Sequence, residues 1–378
     1  MNIESERRNI AIETLTPVHI GSGETLTKNF DYIIKDFKEG SYVCVLDMKE
    51  IVRLLQKKNI DIGLLVSCLS NNNPNQSVKN FLDEHLPDEE YYLRSIYIPS
   101  SVKSTKELSE HIHDGFGEPY IPGSSLKGAI RTAIFTSLLK GKHINQNDIR
   151  PNSKIVDNIL SFDNTDIKSN DPKDRKDKYM RLLQVSDAYF EQVGMDALNM
   201  THLNIRTANS FDDSSKKQLV EAITTGEQSS FVMKITDTEK FPFHSIKDLF
   251  KIINKHTRSI LVDEYNFWYD YEQDDNTGWL VNAYMETCSD IREQIDKLDD
   301  KSCILRVGNS NGWRFITGNW AREKIGERDW RNWVEVMGKK LRPHPEKHHE
   351  YDFPKSRRIT KTQDGINLLG FVKLTIEE

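Results

Sequence analysis

Cysteine is scarce in this chain: Cys44, Cys68, Cys288 and Cys303 are the only four in 378 residues. No two lie at the close spacing of a thiolate metal site, and so few cannot build a disulfide framework. A reducing, cytoplasmic setting is therefore expected. No run approaches the roughly 18 uncharged apolar residues that a membrane span needs. The charged opening stretch Met1–Arg8 lacks the apolar segment of a signal peptide. Surplus positive charge is missing as well, with 52 Lys and Arg against 58 Asp and Glu and a net charge of −6. That counts against a free-standing nucleic-acid binder. It leaves room for a subunit that adds one basic stripe to a larger assembly. The chain also has no Walker loop, no paired-carboxylate site and no Ser/His/Asp array, so neither a cofactor nor a metal is expected.

What is present suffices for a packed core: 37% hydrophobic and 9% aromatic residues argue against global disorder. Alternation over 9–20 predicts a strand that runs into a turn at Gly21-Ser22-Gly23. Asp31–Ile34 and Ser41–Leu46 predict a hairpin, and Met48–Gln56 a helix. Phe81–Glu90 reads as a solvated acidic surface, Tyr91–Pro99 as a strand and Lys103–Gly117 as a polar loop. After the turn Tyr120-Ile121-Pro122-Gly123, Ser124 is the expected N-cap of a helix whose Leu126, Ile130, Ala133, Ile134 and Leu138 keep helical spacing. Residues 141–180 are a hydrophilic insertion, dense in Asp and Lys over 163–178. Further strands are predicted at 182–190, 203–210, in two runs around Thr225-Gly226-Glu227, and over 304–317. Ser245 caps a second helix, and 368–376 closes with a strand.

Without its insertions this order is β-α-β-β-α-β, an α+β, RRM-like (ferredoxin-like) core. Residues 1–238 form its first part, with large insertions at about 24–118 and 141–180. Residues 239–378 supply a helix, a glycine loop and the closing strand.

The strongest candidate site is the junction at 122–131. A helix start offers unpaired N–H groups and a partial positive charge. Gly123 permits close approach, Ser124 and Ser125 add hydroxyls, and Lys127 and Arg131, four apart, share a face. Together they form a phosphate seat, unless they are an ordinary capped helix with surface cations. A second candidate is His19 with Gly21, Ser22 and Gly23, where a strand end could place N–H groups beside the same phosphate. His19 also invites an acid–base reading, although no partner for it is identifiable. A third is Arg306–Arg314, where Gly308 and Gly312 flank a polar loop containing Asn309, with an arginine on each shoulder; a hairpin turn is the plainer reading. A basic stretch follows, from Lys339-Lys340 to Arg357, Arg358 and Lys361, with Tyr351 and Phe353 inside it. Asp31 is a candidate for metal-dependent cleavage, and Asp187 for a buried carboxylate or an RNA contact.

Taken together, 16–23, 120–131, Val185-Ser186-Asp187 and the loop at 308–312 resemble the RAMP superfamily of CRISPR-associated proteins. Leu305-Arg306-Val307-Gly308 and Leu369-Gly370-Phe371-Val372 are most similar to the fifth subunit of the type III-A Csm effector complex. The resemblance implies an RRM-like fold and a non-catalytic end cap that binds the 3′ part of the CRISPR RNA (crRNA) and is needed for its maturation in antiviral defence. It implies contacts to RNA through His19, Gly21, Ser22, Gly23, Gly123, Ser124, Ser125, Lys127, Arg131, Arg306, Asn309 and Arg314. Implied partners are crRNA, target RNA, the repeated backbone RAMP subunit, the small subunit and host ribonucleases, with no membrane. The competing reading is a RAMP endoribonuclease that cuts crRNA precursor through His19 or target RNA through Asp31.

Overall fold

A computed structural model describes residues 4–70, 77–99, 106–142, 144, 155–160, 178–204, 218–269, 278–308, 312–316, 356–362 and 365–377. In chain order the elements are β1 (Glu6–Thr14), β2 (Gly21–Thr27), β3 (Tyr32–Phe37), β4 (Gly40–Leu46), α1 (Met48–Lys57), α2 (Ile62–Ser70), α3 (Val78–His85), β5 (Tyr92–Tyr97), β6 (Glu107–His111), β7 (Tyr120–Ile121) and α4 (Gly123–Leu138). Then come α5 (Ile155–Ile159), α6 (Lys178–Leu182), β8 (Leu183–Val185), β9 (Ala188–Tyr189), β10 (Met195–Asn204), β11 (Gln218–Ile223), β12 (Gln228–Ile235), α7 (Ile246–Tyr269), α8 (Gly278–Asp296), β13 (Ser302–Arg306), α9 (Gly312–Ile316), β14 (Ser356–Thr362), β15 (Gly365–Asn367) and β16 (Phe371–Ile376).

One sheet runs β13-β16-β1-β12-β8, antiparallel throughout. Counting β1, α4, β8, β12, α7 and β16 recovers the β-α-β-β-α-β order, with β1 held between β12 and the closing strand. Its strands come from both sides of residue 238. Helices α4 and α7 share one apolar core with this sheet. Leu126, Ile130 and Ile134 of α4 meet Leu249, Phe250 and Ile253 of α7 and Ile10 and Ile12 of β1 there. Each such fully buried side chain contributes about 1.5–3 kcal/mol. The start of α7 is as expected: Ser245 Oγ accepts from the Asp248 N–H at 3.1 Å. The helix then continues to Tyr269, and α8 packs against its second half through Tyr284, Cys288 and Ile291.

The second sheet follows the path β2-β6-β11-β10-β5-β4-β3, with β14 and β15 joined to β10. It is built largely from the first predicted insertion. The hairpin of β3 and β4 and the helix α1, capped by Asp47, match the sequence reading. Two stretches do not. Residues 81–85 lie in α3, which buries Val78, Phe81 and Leu82 beneath the sheet, so the acids cover only its outer side. Within the predicted polar loop, 107–111 form β6, paired with β2 and β11. Residues 205–210 and most of the insertion 141–180 lie outside the described residues.

Candidate nucleic-acid interface

At the junction, α4 begins at Gly123 with Pro122 as N-cap and no side-chain cap of its own. Ser124 is therefore not the cap; it sits exposed inside the first turn. The capping oxygen comes from across the fold, where Asp187 Oδ1 accepts from the Gly123 N–H at 2.7 Å. A carboxylate already lies at the positive end of this helix, so that N–H does not await a phosphate. Gly123 itself is buried, and a Cβ there would lie 2.3 Å from the Val185 carbonyl oxygen. Its glycine serves the packing of α4 on the β8–β9 link and not the approach of a ligand. The seat is left to side chains: exposed Ser124, half-buried Ser125, and Lys127 and Arg131 along the next turns. Gly128 between them is exposed, with open space where a Cβ would stand.

The segment 16–20 leaves β1 and is clamped on both sides. Val18 exchanges backbone hydrogen bonds with Ile223 at 2.9 Å, and the Gly370 N–H donates to the Pro17 carbonyl at 2.8 Å. His19 is buried, and its Nδ1–H donates to the Glu221 carbonyl at 2.6 Å. Its Nε2 is buried without a partner, and burial lowers its pKa, which keeps the ring neutral. His19 faces inward, so the expected RNA contact by its side chain is corrected. Gly21, Ser22 and Gly23 are exposed. They open β2 instead of forming a turn, and the register against β6 shifts between Gly21 and Thr25. Ser22 Oγ donates to Glu110 Oε2 at 3.0 Å.

The sequence reading missed the residue that joins these two segments. His111 of β6 is fully buried. Its Nδ1 accepts from the Ile20 N–H at 3.2 Å, and its Nε2–H donates to the Tyr120 carbonyl at 3.2 Å. Only a neutral imidazole can do both. Burial first, and the neighbouring His19 second, push its pKa down to about 3. Beside it lies Glu221, also fully buried. Arg94 reaches Glu221 with Nε at 2.8 Å and Nη2 at 3.1 Å, and the His111 N–H donates to it at 3.1 Å. Burial alone would raise the Glu221 pKa; His113 and Arg94 outweigh it and hold the carboxyl down to about 2. Arg94 Nη2 also donates to Glu110 at 2.8 Å, which in turn holds Ser22. Glu110, His113 and Glu221 are metal-ligand types close enough to share an ion. The Arg94 guanidinium already lies on both carboxylates, so we assign them no metal.

The glycine loop begins as expected and then departs. Gly308 has φ +91°, and a Cβ there would lie 2.4 Å from the His19 carbonyl oxygen, so the loop is seated on the 16–20 segment. Residues 312–316 are helix α9, not a returning strand. Arg306 and Arg314 are not outward shoulders. Arg306 is buried, donates to the Leu369 carbonyl at 2.9 Å and lies 4.5 Å over the Phe315 ring. Arg314 is buried against Glu264 at 2.9 Å. Arg357, from the basic stretch, binds the same carboxylate. Both shoulder arginines serve the interior, because a guanidinium can stack on aromatic rings while its N–H groups reach a buried carbonyl or carboxylate. Asn309 and residues 339–355 lie outside the described residues. Asp31 Oδ2 accepts from the Thr27 N–H at 2.7 Å and closes the turn before β3.

A family model described as the RAMP superfamily matches residues 11–315. A Methanocaldococcus jannaschii protein named CRISPR system Cms protein Csm5 is 26% identical over 407 aligned positions, covering 98% of this chain and 89% of that protein. A Streptococcus thermophilus protein of the same name is 31% identical over 145 residues, 36% of this chain and 40% of that protein. Among solved structures, a chain of the type III-A Csm–crRNA–target RNA ternary complex aligns over 98% of this chain and 100% of its own, with TM-score 0.65 and 21% identity. The crystal structure of T. onnurineus Csm5 aligns over 96% and 99%, with TM-score 0.59 and 19% identity, so the fold is shared along the whole chain. The matched span takes in the end of β1, all of α4 and α7 and the glycine loop, and the chain belongs to the RAMP superfamily.

Proposed function

We propose that this chain is a non-catalytic, crRNA-binding end-cap subunit of a type III-A CRISPR effector complex. It holds the 3′ part of the crRNA and is needed for crRNA maturation in antiviral defence. The observation that carries the reading is the convergence of three segments: His111 bridges Ile20 to Tyr120, and Gly308 rests on His19. One buried frame thus ties together the segment that leads into Ser22 and Gly23, the junction that leads into Ser124, Ser125, Lys127 and Arg131, and the start of the glycine loop. The full-length likeness to a relative named Csm5 supports the same reading. Contacts of this kind are to phosphate and sugar and carry shape rather than sequence. Partners in this reading are crRNA, target RNA, the repeated backbone RAMP subunit, the small subunit and host ribonucleases, in the cytoplasm. No described helix is long and apolar enough to cross a membrane.

The non-catalytic part rests on His19 and Asp31. One imidazole nitrogen of His19 is engaged by a carbonyl and the other is buried, while Asp31 closes its own turn. The test is co-expression with sibling subunits, comparing wild type with Lys127→Ala/Arg131→Ala. Reduced crRNA yield or untrimmed crRNA is expected, and unchanged yield and length would refute the seat. Incubating the purified chain with repeat RNA, with and without divalent metal, tests catalysis. Site-specific cleavage lost in His19→Ala or Asp31→Ala would make it an endoribonuclease instead.

A further inference from the structure

The capping carboxylate of α4 has a second task. Asp187 Oδ1 holds the Gly123 N–H, and its Oδ2 accepts from the Tyr189 hydroxyl at 3.3 Å. Tyr189 belongs to β9 and pairs in register with Tyr120 of β7. The two rings stack with centroids 5.3 Å apart and planes 23° from parallel. The Tyr189 carbonyl accepts from Ser229 Oγ, and the Phe190 N–H donates to the Pro119 carbonyl at 3.3 Å. Main chain, hydroxyl and one ring surface are all held, yet Tyr189 remains 52% exposed. An exposed tyrosine is ordinary. One fixed this fully, with half its surface still open, is pre-organised for a flat partner.

Its surroundings select that partner. The carboxylate that orients the ring also starts the helix carrying Ser124, Lys127 and Arg131. Single-stranded nucleic acid is gripped by this pairing of cations for the backbone and an aromatic face for a base. We infer that Tyr189, backed by Tyr120, is a stacking platform for one unpaired RNA base beside the α4 junction. The inference rests on the RNA-binding reading above and adds to it a contact to a base. The platform is tolerant of sequence, because every base has a π-face. Tyr120 is the rear support and is itself tied to the site through His111, which donates to its carbonyl.

The test uses the full chain and two short fluorescein-labelled single-stranded RNAs, an oligouridylate and its counterpart with abasic riboses. Wild type should bind the oligouridylate more tightly than the abasic strand. Tyr189→Ala should lower affinity for the oligouridylate roughly ten-fold, the order of one lost base stack. On the abasic strand the same variant should cost nothing, since no base remains to be lost. Tyr189→Phe should recover most of the affinity, because it keeps the ring and removes only the hydroxyl. Thermal unfolding of each variant guards against misfolding. If Tyr189→Phe is as weak as Tyr189→Ala, the hydroxyl bond and not the ring matters, and the platform is wrong. If Tyr189→Ala binds the oligouridylate like wild type while Lys127→Ala/Arg131→Ala does not, the platform falls and the RNA seat stands. Loss of a co-purifying protein subunit with unchanged RNA affinity would assign Tyr189 to a protein neighbour and overturn the platform. If wild type binds neither strand, both readings fall.

Discussion

Gly308 and Gly226 provide a matched pair for testing whether the glycine loop is anchored on the 16–20 segment. Their φ values are nearly equal, +91° and +89°. Alanine at either position therefore carries a similar left-handed strain, about 1–2 kcal/mol. They differ in what a Cβ would meet. At Gly226 nothing lies within 4 Å; at Gly308 the His19 carbonyl oxygen lies at 2.4 Å. A backbone atom cannot rotate away, so Gly308→Ala must displace the loop or the segment beneath it, which adds about 1–3 kcal/mol. Gly308→Ala is thus expected to destabilise by about 3 kcal/mol and Gly226→Ala by about 1–2 kcal/mol. Parallel urea titrations followed by tryptophan fluorescence measure both. Because the shift at Gly308 moves His19 and Ile20, that variant should also weaken binding of the oligouridylate, and Gly226→Ala should not. Equal stability losses, within about 0.5 kcal/mol, would show that Gly308 does not touch His19. The convergence argued for the site would then fail.

Acidification should loosen the frame. His111 sits at about 3 in the fold against an ordinary 6.5, so between these values the unfolded chain binds the extra proton. Its contribution is full above pH 6.5 and falls by about 1.4 kcal/mol per pH unit toward 3. Glu221, at about 2 against 4.5, adds a loss of the same sign below 4.5. A urea midpoint at pH 5 equal to or above that at pH 7.5 would contradict this. Arg94→Ala leaves Glu221 buried without its main cation and should cost about 3–5 kcal/mol, read from the same titration. Glu264→Ala strands Arg314 and Arg357 in the interior and should cost a similar amount; a loss under about 1 kcal/mol would mean that the pair is not buried as described. Asp187→Ala removes the cap of α4 and should cost about 0.5–2 kcal/mol of stability, with a loss of helical circular dichroism at intermediate urea.

The fold was legible where turn or cap residues mark the ends of an element. The hairpin of β3 and β4, the helix α1 with its Asp47 cap, and the start of α7 at Ser245 carry clear periodicity and turn or cap residues. Legibility failed at β13, β6 and α3, each for its own reason. All five residues of β13 are buried, so its arginine could not be read as inward from alternation. In β6 the polar residues Glu110 and His111 face a buried polar centre, and a strand lined with charge reads as a loop. The acidic stretch at 81–90 hides the apolar side of α3, because Val78, Phe81 and Leu82 repeat over too short a helix to stand out.

The site failed to be legible for a different reason, which bears on how it works. The motifs at 16–23, 120–131 and 305–308 are local patterns and were found. What unites them is not local. His111 lies 91 residues from Ile20, and Glu221 lies 202 from His19 and 127 from Arg94. No periodicity links such pairs. A glycine, two arginines and a histidine offered to the ligand are used by the fold for itself: Gly123 for Val185, Arg306 for Leu369, Arg314 for Glu264 and His19 for Glu221. Chemistry suited to holding a phosphate is equally suited to holding a carbonyl or a carboxylate, so residue type alone cannot separate frame from surface. Exposure can. Ser22, Gly23, Ser124 and Tyr189 stand at the surface, and Ser125, Lys127 and Arg131 are half-buried. The inward set holds these in place, so a substitution in the frame should change both stability and RNA affinity. One in the surface set should change affinity alone.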